Sequence, residues 1–154
     1  MMERSLIIVK PDALQRNLLG EIIRRFERKG LKIVGLKMMA IDDVKIAEHY
    51  AHHQDKPFFA DLKRFMQSSP VVVMALEGYE AIAAIRLIVG PTKGRAADAG
   101  SIRGDFAMSV QYNIIHASDS VATAQQEIPR FFKSEELFSY AKIDDNFIYG
   151  SDER

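Results

Sequence analysis

Asn113-Ile114-Ile115-His116-Ala117-Ser118-Asp119-Ser120 is the stretch on which the fold turns. An apolar pair, a histidine and then three strong helix N-cap types read as a short strand that ends on His116 and hands over to a helix. Residues 121–132 continue as that helix, capped by Ser118, Asp119 or Ser120, with Glu127 about two turns in. Pro129 removes one helical hydrogen bond and crowds the carbonyl of Gln125, so regular helix is expected to kink or end near Ile128.

Upstream, three more strands are legible. Leu6-Ile7-Ile8-Val9 is a continuous apolar run ended by Lys10-Pro11-Asp12, which is the pattern of a central strand delivering a lysine to its C-terminal edge. Residues 31–39 form a second strand, interrupted in character by Gly35, and residues 70–76 a third, closed by Glu77-Gly78. Helical periodicity fills residues 20–29, stopped by Gly30, and residues 80–89, with Ile82, Ile85 and Val89 inward. Between the second and third strands lies a helical pair. Asp42 and Asp43 cap the first member through about Tyr50, and Lys56-Pro57 opens the second, with Phe58, Leu62 and Phe65 at i, i+4 and i+7. Residues 90–104 carry four glycines and a proline with no period and read as a long loop, and Ser134-Glu135-Glu136 caps a last short helix before an irregular tail.

Set aside the inserted pair and the order is βαββαβ. That is the α/β (α+β) ferredoxin-like arrangement, a four-stranded antiparallel sheet with helices on one face.

The 154 residues suit one domain, 1–154, able to bury roughly 70% of its unfolded surface. Lys+Arg and Asp+Glu are both 21, so nothing in the overall charge asks for a nucleic-acid or membrane partner, and a bound polyanion must meet a local cluster. With no cysteine, disulfide and thiolate chemistry are excluded. The apolar run near the N-terminus is too short for a signal peptide or a membrane span, so a cytoplasmic location is expected.

A neutral imidazole is a competent nucleophile near pH 7, since its unperturbed pKa is roughly 6.5. The bland alternative for His116 is a satisfied strand-end histidine beside an ordinary cap. Lys10, Arg86 and Arg103 come from separate elements, and their convergence on His116 would suit an anionic substrate such as a transferable phosphoryl group. Neither a Walker-type loop nor a Gly-x-Gly-x-x-Gly is present, so side chains would have to hold a nucleotide. His49 and His53 stand at i, i+4, a spacing open to a metal, but lack a third ligand at a telling distance. Ser118 and Asp119 lie too near His116 in sequence for a hydrolase triad to be inferred.

Taken together, residues 113–120 resemble the active-site signature of nucleoside diphosphate kinases. Ile8-Val9-Lys10-Pro11-Asp12, His49-Tyr50, Lys56-Pro57-Phe58-Phe59, Arg86 with Gly90-Pro91-Thr92, and Ile102-Arg103-Gly104-Asp105-Phe106 agree in order and spacing. The resemblance implies ping-pong transfer of a γ-phosphoryl group from a nucleoside triphosphate to a nucleoside diphosphate, through a phosphohistidine on His116. It implies that Glu127 and Ser118 orient the imidazole, which leaves Asp119 or Ser120 as the helix cap. It places Lys10, Tyr50, Arg86, Thr92 and Arg103 around the phosphates, with Lys10 and Asn113 also at the ribose. Phe58 would stack on the base, with Leu62 near it and Val110 opposite. Mg2+ is the implied cofactor, held by phosphates and water rather than by a protein cage. The implied assembly is a homo-oligomer, a hexamer with a tetramer as the alternative.

The departures from the family pattern are few. Ala117 stands where glycine is common, Ser101 where threonine is usual, and Lys93-Gly94 where many members have Asn-Pro in a loop associated with subunit contacts. The competing function is a nucleotide or nucleic-acid binding module with reduced catalysis.

Overall fold

The computed structural model describes residues 1–153. Strands β1 (Met2–Val9), β2 (Lys32–Met39), β3 (Val71–Tyr79) and β4 (Ile115–Ala117) form one sheet in the order β2-β3-β1-β4, with every neighbouring pair antiparallel. This is the ferredoxin-like order. Helices α1 (Pro11–Gln15), α2 (Leu19–Lys29), α3 (Asp43–His49), α4 (Phe59–Met66), α5 (Ala81–Val89), α6 (Ile102–Phe106), α7 (Val121–Phe131) and α8 (Asp145–Ile148) complete it.

The helices are not confined to one face. Ile7 and Val9 pack with Ile22 and Phe26 of α2 and with Ile85 and Val89 of α5. Leu6 and Ile8 pack with Ile46 of α3, with Leu62, Phe65 and Met66 of α4, and with Ala124, Ile128 and Phe131 of α7. Strict apolar continuity through Leu6–Val9, without polar alternation, already demanded cover on both sides. The inserted pair α3 and α4, together with α7, supplies the second layer.

Local chemistry accounts for most boundaries. Gly30 ends α2 at φ +97°, Asp42 accepts the Lys45 N–H at 2.8 Å to start α3, and Ser120 accepts the Thr123 N–H at 3.0 Å to start α7. The sheet register shifts between Ile33 and Gly35, where a break in the second strand was expected.

Several expectations need correction. The third strand runs past Glu77-Gly78 to Tyr79, because Gly78 stays paired with Glu3 while the Glu77 carboxylate bonds Arg4 at 2.8 Å and Lys32 at 2.6 Å. The second inserted helix begins at Phe59, not Lys56. The loop after α5 contains a 3-10 turn, Gly94–Ala96, and then α6, whose Ser101 cap accepts the Gly104 N–H. Regular helix does not end at Ile128: α7 continues to Phe131 with Pro129 inside it. Gln125 and Pro129 both lie on the exposed side of α7, so the carbonyl that loses its partner can bond water. None of the helices among the described residues is long and apolar enough to cross a membrane.

Candidate active site

The site forms where β1 and β4 run side by side. Ile8 pairs with His116 across the ladder, so the end of β1 places Lys10 beside Asn113. The Lys10 ammonium donates to Asn113 Oδ1 at 2.7 Å, and the Asn113 amide donates in turn to the Thr92 carbonyl at 3.0 Å. One strand end, the segment before β4 and the long loop are thereby tied in sequence.

His116 is fixed from behind. Its Nε2 lies 3.1 Å from both oxygens of Glu127, which α7 carries back over the sheet. Ser118 Oγ donates to Glu127 Oε2 at 2.6 Å while accepting the Leu6 N–H at 3.0 Å. Burial alone would raise the Glu127 pKa, but its bonds to His116 and Ser118 outweigh that and hold it below the usual carboxylate value. An ionised acceptor at Nε2 puts the imidazole proton there and leaves Nδ1 with the free lone pair. Ser118 therefore acts on His116 only through Glu127, and Ser120, not Asp119, is the helix cap.

The backbone that presents His116 is strained. Ile114, a fully buried β-branched residue, has φ +76°, and the Ile115 N–H bonds the Asn113 carbonyl at 2.8 Å, closing a three-residue turn. Such a conformation costs about 1–3 kcal/mol and persists only where its surroundings enforce it. Arg103 enforces it from one side, donating to the carbonyls of Asn113 at 3.2 Å, Gly90 at 2.9 Å and Ile115 at 2.6 Å. On the other side, the Lys10 N–H bonds the Ile114 carbonyl at 2.9 Å and Asp12 Oδ2 accepts the Ile114 N–H at 3.0 Å. Ala117 lies outside the positive-φ region, so alanine in place of glycine carries no backbone strain.

Cations crowd together here, with Asp12 offsetting only part of the repulsion on Lys10. Desolvation and the neighbouring Arg103 lower Lys10 to about 8, while desolvation and Arg86 lower Arg103 to about 10. Arg86 also reaches the Ala117 carbonyl at 3.5 Å. An anionic ligand would relieve the repulsion among the three. Tyr50 is buried, its hydroxyl lacks a hydrogen-bond partner, and desolvation together with the Glu127 charge raises its pKa.

His49 packs edge-on against His116, ring centroids 4.6 Å apart, and desolvation plus His116 depress its pKa to about 3. The signature motifs gave His49 no role, and Asp12 none beyond membership of the Lys10-Pro11-Asp12 run. Only the fold brings Asp12 under Ile114. His49, His116 and Glu127 form the sole cluster among the described residues able to hold a metal. It replaces the His49–His53 pairing considered from spacing.

The residues expected at the base differ from one another in exposure. Phe58, just before α4, is 46% exposed and Val110 53%, while Leu62 lies on the buried side of α4. The Phe58 ring meets His53 edge-on at 5.2 Å. Thr92 leaves its side chain at the surface.

The nucleoside diphosphate kinase family model matches residues 3–137. The chain belongs to the nucleoside diphosphate kinase family. It is 49% identical to the nucleoside diphosphate kinase of Parabacteroides distasonis over 152 residues, 99% of each chain. Against that of Staphylococcus haemolyticus it is 51% identical over 148 residues, 96% of this chain and 99% of the relative. A halophilic nucleoside diphosphate kinase from Halobacterium salinarum, solved in complex with CDP, superposes with a TM-score of 0.95 at 41% identity, covering 97% of this chain and all of that one. Within this family fold, Gly94 packs so closely that a Cβ there would lie 2.5 Å from Ala107. A side chain at that position would require Ala107 to move.

Proposed function

We propose that this chain is a nucleoside diphosphate kinase that moves the γ-phosphoryl group of a nucleoside triphosphate to a nucleoside diphosphate through His116. The observation that carries the reading is His116 Nε2 held 3.1 Å from the ionised Glu127, in a segment whose flanking residues Asn113, Ile115 and Ala117 bond Lys10, Arg103 and Arg86. Attack by Nδ1 forms a nitrogen–phosphorus bond and breaks the bond from the γ-phosphorus to its bridging oxygen. The nucleoside diphosphate leaves with that electron pair. Glu127 stabilises the positive character that develops on the imidazole, Ser118 keeps Glu127 in place, and Lys10, Arg86 and Arg103 balance the phosphate charge. The Tyr50 hydroxyl and Thr92 complete the phosphate contacts. A second diphosphate reverses the step. Phe58, with Leu62 behind it and Val110 opposite, takes the base by stacking, which every base permits. Lys10 and Asn113 meet the ribose.

Magnesium asks for hard oxygen donors. The His49–His116–Glu127 set offers two nitrogens and a carboxylate already bonded to His116 and Ser118, which is the wrong chemistry for it. The cation-lined phosphate side fits an Mg2+ that arrives on the nucleotide, with Lys10, Arg86 and Arg103 gripping the phosphates that carry it. Bound there, the ion would supply further neutralisation of phosphate charge.

Residues 1–154 act as one domain in this reading, at work on the nucleotide pool of the cytoplasm. Assembly as a homo-oligomer, a hexamer with a tetramer as the alternative, is supported by Leu36 and Met38 exposed on the sheet-edge strand β2 and by exposed Ile143 and Phe147 near the C-terminus. Sedimentation velocity distinguishes the two.

The decisive experiment combines purified protein with Mg2+, ATP and GDP. GTP should form, and ATP alone should leave an acid-labile phosphate on the protein. Retention of exchange by His116→Ala would overturn the reading.

A further inference from the structure

We propose that Asp12 is a positioning residue for phosphoryl transfer, its carboxylate acting as the acceptor that keeps Ile114 in the left-handed turn from which His116 is aimed. The proposal rests on His116 being the nucleophile. Ile114 is two residues before His116, is fully buried, and has φ +76°, a conformation a β-branched side chain avoids. Its N–H points away from the sheet ladder and is taken by Asp12 Oδ2 at 3.0 Å. The other contacts on this turn hold carbonyls: Arg103 those of Asn113 and Ile115, and Lys10 N–H that of Ile114. Asp12 alone among these side chains holds the Ile114 donor.

Removing that acceptor leaves a buried N–H unpaired while the strain in φ persists, and both effects favour relaxation of Ile114 toward ordinary extended backbone. Relaxation swings the peptide that leads into His116. Asp12 is itself well placed for the task. It sits in the first turn of α1 behind Pro11, so its backbone is set by the end of β1, the strand that pairs with His116. Its second oxygen, Oδ1, is buried without a hydrogen-bond partner. Leaving one oxygen of a partly buried carboxylate unsatisfied is costly, and the Ile114 contact gives the other oxygen a use.

Asp12 also lies in the field of Lys10, so a purely electrostatic role must be separated from an acceptor role. Asp12→Asn separates them, because the amide oxygen still accepts the Ile114 N–H while the charge is gone. The test is single-turnover phosphorylation of His116 from radiolabelled ATP, with the ADP dissociation constant and thermal midpoint measured in parallel. Asp12→Ala should slow phosphorylation by about 30- to 100-fold, the scale of a misplacement near 1 Å, with the ADP dissociation constant within about threefold. Asp12→Asn should recover to within about fivefold of the wild-type rate. Equal losses in the two variants would overturn the proposal in favour of charge. So would a wild-type rate in Asp12→Ala, or a loss confined to ADP affinity. If Asp12→Ala fails to fold, Asp12→Asn alone decides: a rate within fivefold supports the acceptor role and a larger loss refutes it. Exchange surviving in His116→Ala would instead remove the parent reading, so the two failures are distinguishable.

Discussion

Replacing Glu127 by glutamine changes few atoms and should cost most of the activity. In the native site both donors, His116 Nε2–H and Ser118 Oγ–H, point at one carboxylate, and Ser118 is already occupied as acceptor by the Leu6 N–H. Glutamine offers one acceptor and one donor. If its oxygen faces Ser118, its amide faces Nε2, forcing the imidazole proton onto Nδ1 and removing the nucleophilic lone pair. If its oxygen faces His116, the Ser118 hydroxyl proton loses its partner in a buried space, at about 1–3 kcal/mol. Either way the charged acceptor opposite the developing imidazolium is gone, and charge-assisted hydrogen bonds are roughly twice as strong as neutral ones. Together these effects come to about 2–4 kcal/mol, or about 30- to 1,000-fold in rate. Rapid-quench measurement of His116 phosphorylation at saturating ATP reads this directly. Nucleotide affinity should be unchanged, since Glu127 is buried behind the ring. A rate within threefold of wild type, or a defect expressed only as weaker binding, would refute the orientation argument.

Three further expectations concern pH and the base. Lys10, lowered to about 8 by desolvation and Arg103, loses its charge in the free enzyme as pH rises through that value, so kcat/KM should fall roughly tenfold per unit above it; Lys10→Arg should shift that limb to higher pH, and a flat wild-type profile to pH 9.5 would contradict the assignment. His49 takes a proton near 6.5 when unfolded but not until about 3 when folded. Stability should therefore be lost as pH falls from 6.5 toward 3, by about 1.4 kcal/mol per unit from this group, and the difference between wild type and His49→Phe in urea titrations isolates it; identical slopes would count against a buried neutral His49. Phe58→Ala should raise KM for adenine, guanine and pyrimidine nucleotides alike by about 5- to 150-fold, from roughly 1–3 kcal/mol of stacking, and strong discrimination among bases would point to edge recognition instead.

What the sequence made legible depended on whether the cause was local. Apolar continuity in Leu6–Val9, the Asp42 cap and the Gly30 stop act within a few residues, and each was readable from its own neighbourhood. Which helices supply the second layer, the α6 helix inside the glycine-bearing loop and the continuity of α7 through Pro129 depend on distant contacts or on which side faces water, so no single window of sequence contained them. The site divides in the same way. His116, Glu127 and Ser118 were grouped because the family signature records them, not because spacing revealed a hydroxyl bonded to a carboxylate nine residues away. Asp12 shows the limit most clearly. An aspartate after Lys-Pro looks like an ordinary first-turn acid favoured by the helix dipole, and its partner lies 102 positions downstream. The pairing exists because β1 and β4 are neighbours, and the same adjacency sets Lys10 against Asn113 and Ile8 against His116. A strand of three residues cannot hold a strained turn by its own ladder. Bonds from Lys10 at the end of β1, from α1 and from α6 therefore hold it, and the aim of His116 is set by the central strand as much as by the motif that contains it.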